Sequence, residues 1–182
     1  MKIAIVAGSN RSSATSTRLA EYGARLTRSK GHDTELFDLY RTPLPFYCPD
    51  EYYEGHKGLT QFKELMRQAD AVVLATPEYH GSVSGVLKNA LDFLGKEHLG
   101  GKPVLSLSSA GGAVGVSSLQ HLQTIIRNVH GINVPEWISI GGSQREWFRQ
   151  ARGDEQPDEA IALRINRAWD AFLELARLVR GL

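Results

Sequence analysis

The chain has 182 residues and carries 21 Lys and Arg against 20 Asp and Glu, a net charge of +1, so one domain is expected and two full catalytic domains are excluded by length. No basic run offers a footprint for nucleic acid or an anionic membrane, and no apolar stretch approaches the ~20 residues of a membrane span, so neither is an expected partner. At 42% hydrophobic and 23% charged residues a packed core follows, and one cysteine, Cys48, with no leader before the first apolar run points to a cytoplasmic chain without an internal disulfide.

Residues 2–7 read KIAIVA, an Ile- and Val-rich run stopped by Gly8, as a strand buried on both faces requires. A polar segment follows, then a helical pattern with Leu19, Tyr22 and Leu26 on one side and Gly31 at its end. Residues 34–39 form a second strand, and residues 40–57 a long loop with Pro43, Pro45, Pro49 and several aromatics. Leu59, Phe62, Leu65, Met66 and Ala69 mark a helix, and AVVLA after Asp70 a third strand. Val86, Leu87, Ala90, Leu91 and Leu94 mark the next helix, closed by Gly95, with Lys88 and Asp92 spaced for a surface ion pair. Residues 104–107 make a fourth strand, Leu119, Leu122, Ile126 and Val129 a helix, and residues 134–140 a fifth strand. Residues 141–157 read as a polar, Arg-bearing loop, and the last helix sets Ile161, Ile165, Trp169, Phe172, Ala176 and Val179 on one face.

Five strands alternating with five helices predict a doubly wound α/β fold: a five-stranded parallel sheet of order 2-1-3-4-5 with helices on both faces. Ligands of such sheets bind beyond the carboxyl ends of the strands, near the switch between strands 1 and 3. The Gly-, Ser- and Thr-rich loops follow strands 1, 3 and 4, which places them on that edge.

The first loop opens a helix and brings hydroxyls, the Arg11 guanidinium and free backbone N–H groups together, as an anion site does; the alternative is a solvated capping segment. It lacks the Gly-Lys-Ser/Thr of a P-loop, and G-x-G-x-x-G is absent, so a monophosphate is the expected anion. In the second loop, Pro77 to Ser82, polar and aromatic groups can support a flat ring, or Pro and Gly merely punctuate a turn. His80 reads as either a general base or a hydrogen-bonding residue. In the third loop Gly111, Gly112 and Gly115 allow close backbone approach to a ligand, or form a flexible turn. Glu54 stands where a cysteine phosphatase built on Cys48 needs arginine, Ala75-Thr76 where a receiver domain needs an acid, and Val83 at the centre of the Gly81 to Gly85 spacing where a hydrolase needs serine. The six histidines show no metal-ligand spacing. Arg145, Arg149 and Arg152, with Trp147 and Phe148, are placed to meet a phosphorylated cosubstrate or a second subunit, or to form a solvated basic loop.

GSNRSSATSTRLA after the first strand, PEYHGSVSGVLKNALDFLG after the third and SSAGGAVGV after the fourth resemble the NADPH-dependent FMN reductase family, flavodoxin-like flavoproteins that include azobenzene, chromate and quinone reductases. The resemblance runs in order from Met1 to about Ile140. That family usually reads PEYN, then Pro before Gly-x-Leu-Lys-Asn-Ala; His80 and Ser84 stand there here, closest to the azobenzene-reductase branch. The resemblance implies one flavodoxin-like domain over residues 1–182. FMN phosphate would meet Ser9, Arg11, Ser16 and Thr17, with Thr15 a weaker candidate. Pro77, Glu78, Tyr79 and His80 would line the isoalloxazine, and Ser108, Ala110, Gly111 and Gly112 its pyrimidine end. It further implies hydride transfer from NADPH (or NADH) to FMN N5, then two-electron reduction of a small-molecule acceptor: a quinone, azo compound, chromate or free flavin. No protein nucleophile, general base or metal is implied. A homodimer or homotetramer is, with the helix after the second loop at the interface, and the apolar residues on more than one side of residues 86–94 fit burial on two fronts. The alternative is a noncatalytic flavodoxin-like electron carrier, although such carriers tend to be acidic and this chain is nearly neutral.

Overall fold

Strand β1 (Lys2–Ala7) runs through the middle of a parallel sheet in a computed structural model that describes residues 1–150 and 157–181. It pairs with β2 (Asp33–Asp38) on one side and β3 (Ala71–Pro77) on the other, and β3 pairs with β4 (Pro103–Ser109). With β5 (Ile132–Asn133) beyond β4 the order is 2-1-3-4-5, as the alternation of elements predicts. The period-two alternation of a strand buried on both faces is explicit in β1. Ile3, Ile5 and Ala7 pack into one core with α1 (Thr15–Ser29) and α7 (Glu159–Arg180), while Ala4 and Val6 pack into a second core with α2 (Lys57–Gln68), α3 (Gly85–Asp92) and α5 (Val116–Asn128). Trp169 of α7 is fully buried and donates from Nε1 to Thr27 Oγ1 of α1 at 2.8 Å, which satisfies the one polar atom its ring brings into the core.

Two expectations need correction at the β5 edge. The predicted strand over residues 134–140 forms only at its end, as β6 (Ile138–Ile140), while β5 closes at Asn133 just before it; both pieces pair with β4. Between Val104↔Asn133 and Leu107↔Ile138 the edge chain spends four residues where β4 spends two, and Pro135, which has no N–H to give to a ladder, lies in the excess. The predicted loop over residues 141–157 contains a helix, α6 (Gly142–Gln150). Its polar composition hides a two-residue anchor: Phe148 is buried, and Trp147 and Phe148 both meet Tyr22 of α1 edge-on at 6.5 and 5.9 Å. Arg152 lies outside the described residues. At the far end Val179, expected on the buried face, is 44% exposed.

The two-sided apolar character of the segment after β3 is satisfied largely within one chain. Leu87, Ala90, Leu91, Phe93 and Leu94 are all buried, and Phe93 is covered edge-on by Tyr47 and Tyr53 of the long loop at 5.2 and 4.9 Å. Asn89 fastens that loop to α3 by donating to Pro45 O and accepting from Tyr47 N. Lys88 and Asp92 do pair, at 2.6 Å on an exposed face where such a pair contributes little.

The short helix α4 (Lys96–Leu99) carries a titratable stabiliser. His98 Nδ1 accepts from Gly95 N at 3.1 Å, so the ring is held neutral at that nitrogen. Burial pushes its pKa below the ordinary 6.5, outweighing the exposed Glu97 carboxylate beside it, while Lys63, Lys102 and Arg67 add to the lowering. As pH falls through 6.5 the unfolded chain takes up this proton before the folded one, so the contribution to stability is full above 6.5 and declines below it until the folded form protonates. Urea unfolding between pH 8 and 5 is expected to show that decline, and His98→Gln, which keeps an acceptor but does not titrate, to flatten it.

Candidate functional site

The loops after β1, β3 and β4 converge with α6 around a cavity of about 210 Å³. Its wall comprises Arg11, Ser13, Ala14, Thr15 and Ser16 from the first loop and α1, Pro77, Glu78 and Tyr79 from the second, Ser109 and Gly111 from the third, and Arg145 and Arg149 from α6. Every strand that feeds it ends at this rim because a parallel sheet brings all its carboxyl ends to one edge.

The α1 end of the cavity is short of acceptors. Its N-cap is Ala14, which has no side chain to cap with, and no acidic residue stands in the first turn. By contrast α2, α3 and α7 are each capped by a side chain: His56, Ser84 and Asp158. Ser16 is 1% exposed and its Oγ is buried with no hydrogen-bond partner, although buried hydroxyls are normally paired. Uncapped N–H groups, an orphaned hydroxyl and the exposed Arg11 guanidinium together form an acceptor-hungry pocket that a phosphate dianion satisfies. Thr17 is also buried with an unpartnered Oγ1, but it lines a neighbouring depression with Ser12, Ser13 and Arg18 instead of this cavity. Ser9 lies beneath the loop, fully buried, with Oγ accepting from Arg11 N at 3.2 Å, so it shapes the turn that presents Arg11.

In the second loop Tyr79 and Ser82 exchange both backbone hydrogen bonds at 3.0 Å, closing a turn whose central residues His80 and Gly81 have φ of 50° and 74°. A left-handed position followed by glycine is where Asn is favoured and His tolerated, which gives a physical reason for His in place of the Asn of PEYN. His80 is exposed at the turn tip and does not line the cavity, whereas Pro77, Glu78 and Tyr79 do. The Glu78 carboxylate has a structural task as well: Oε2 accepts from Ser118 N at 2.9 Å and Ser118 Oγ at 3.0 Å, capping α5 from outside.

In the third loop Gly111 lines the cavity and Gly112 is exposed beside it, but Ser108 and Ala110 turn inward. Ser108 Oγ donates to Gly115 O at 2.6 Å, and Ala110 N donates to Ile140 O at 3.0 Å. Ser109 takes the wall position one residue along. Ser109, Ser13, Arg145 and Arg149 are therefore additions to the residues that the three motifs single out. Ser84 is a further one, outside the wall: its Oγ donates to Gly8 O at 2.5 Å and accepts from Leu87 N, and its N–H donates to Thr76 Oγ1. That chain ties the second loop to the first, a link that the family's proline at this position cannot make.

The family model for the NADPH-dependent FMN reductases matches residues 1–145, which include all three loops and the first part of α6. The chain belongs to that family. It is 37% identical over 150 residues to the FMN-dependent NADPH-azoreductase of Staphylococcus aureus, covering 79% of this chain and 78% of that one. Among solved structures, a flavoenzyme NAD(P)H:(acceptor) oxidoreductase from Paracoccus denitrificans superposes with a TM-score of 0.76 at 22% identity over 97% of each chain. A flavodoxin from the domain Archaea does so at 0.62 and 16% identity over 99% of each. At these identities the structural likenesses speak to the fold, which is flavodoxin-like as expected. No helix among the described residues is long and apolar enough to cross a membrane.

Proposed function

We propose that this chain is an oxidoreductase that binds FMN along the described cavity, oxidises NADPH and reduces an aromatic small-molecule acceptor, an azo compound or a quinone. The observation that carries the reading is the uncapped start of α1, where Ser16, its Oγ without a partner, lines the same cavity as the second and third loops. Ser16, the first-turn N–H groups of α1 and Arg11 hold the phosphate. Pro77 and Tyr79 support the ring from the second loop, and Gly111 admits it closely from the third because no Cβ projects there. When bound, FMN supplies the chemistry itself, accepting a hydride at N5 and passing two electrons on, so the chain needs no nucleophile or metal of its own. What the protein contributes is an oriented ring, a fixed anionic tail and an accessible face.

The test is an absorption spectrum of purified protein incubated with FMN, followed by anaerobic NADPH titration and then addition of an azo dye. Bound flavin that NADPH bleaches and the dye recolours is the expected result. Flavin that stays yellow under NADPH but accepts electrons from an added reductase would show an electron carrier instead, and a colourless protein would overturn the flavin reading.

A further inference from the structure

We propose that Arg145 of α6 is a further flavin-binding residue, one that favours the reduced over the oxidised cofactor; the inference rests on the FMN reading above. The geometry begins at Gly141 and Gly142. A side chain at Gly141 would collide with the backbone carbonyls of Gly112 and Ala113, and Gly142 N donates to Gly112 O at 3.1 Å, so α6 starts pressed against the third loop. Trp147 and Phe148 pin the other side of the helix to Tyr22. Arg145, between these anchors, and Arg149, one turn further on, both line the cavity.

The two arginines differ in what they already hold. Arg149 Nη1 donates to Glu146 Oε2 at 2.9 Å, which offsets its charge. Arg145 is half-buried, and among the described residues its guanidinium has no carboxylate or hydrogen-bond partner. Its Nη1 is the nearest atom beyond the chain neighbours to a Cβ built on Gly111, at 4.0 Å, so it stands over the loop where the ring is placed. The Glu78 carboxylate in the same wall is occupied by Ser118. A partly desolvated, uncompensated cation is costly unless an anion faces it. Two-electron reduction of flavin with uptake of one proton leaves one negative charge on the pyrimidine portion of the ring, and Arg145 is positioned to offset it.

The experiment measures the affinity of the wild type, Arg145→Gln and Arg145→Lys for oxidised FMN and riboflavin by fluorescence quenching, and the midpoint potential of bound FMN by anaerobic dye equilibration. Expected is a small loss for oxidised FMN and riboflavin alike in R145Q. Reduced FMN should be lost about tenfold further, so the potential falls by about 30 mV, the equivalent of tenfold for two electrons. R145K keeps most of the wild-type potential. An unchanged potential with weakened FMN but unaltered riboflavin would make Arg145 a phosphate ligand and overturn the proposal, as would no change in any quantity. Loss of Trp147 fluorescence or helical signal in both variants would assign Arg145 a structural role and overturn it too. A wild type that takes up no FMN overturns the flavin reading, a different result from any of these.

Discussion

Ser16→Ala is expected to weaken FMN binding roughly tenfold to a hundredfold while leaving the thermal stability of the apoprotein unchanged or slightly raised. In the free protein the Ser16 hydroxyl is buried without a partner, so removing it breaks no bond and relieves a polar burial cost. In the proposed complex the same hydroxyl would donate to the FMN phosphate, and a hydrogen bond to a charged group contributes about 1.5–3 kcal/mol. The two effects have opposite signs, which separates a ligand-binding serine from a capping one: loss of a cap lowers apoprotein stability by about 1 kcal/mol. Titration calorimetry with FMN and a melting curve of the apoprotein decide it. A lowered melting temperature with unchanged FMN affinity would make Ser16 an ordinary helix-start residue.

How far the sequence announces this site depends on whether the determinant is local. The sheet order was legible because each strand is a short apolar run between polar loops, and hydrophobic alternation of that kind is a property of neighbours in the chain. The first loop was legible for the same reason: hydroxyls and Arg11 crowd one helix start. Ser84 was visible only as a departure from the family pattern, because its partner Gly8 is 76 residues away in the chain. Arg145 was visible as a charge placed to meet a phosphorylated cosubstrate, a second subunit or solvent, but not as part of the same cavity as the three loops. Its placement depends on Trp147 and Phe148 finding Tyr22, and on Gly141 fitting against the third loop, contacts that no periodicity encodes. The split edge strand escaped because Ile and Val on either side of Pro135 keep the composition of a strand while proline breaks its ladder.

Glu78 shows how one side chain can serve both fold and site, and which service dominates is measurable. Glu78→Ala is expected to lower the melting temperature of the apoprotein by about 2–12 °C, because it strands Ser118 N at the start of α5 and removes the link that holds the second loop to that helix. Leaving such a donor unsatisfied costs about 1–3 kcal/mol, and each kcal/mol shifts a chain of this size by about 2–4 °C. For FMN two effects compete. Removing a carboxylate from the wall lessens repulsion of the phosphate, but across a solvated cavity that gain is only a few tenths of a kcal/mol to about 1 kcal/mol, and salt screens it. Releasing the loop that carries Pro77 and Tyr79 costs more, so E78A binds FMN several-fold more weakly. Glu78→Gln keeps an oxygen for Ser118 without the charge, and is expected to retain most of the stability and to bind FMN as well as the wild type or slightly better. If E78A instead melted like the wild type while losing FMN, the carboxylate would act on the flavin directly and its bond to Ser118 would be incidental.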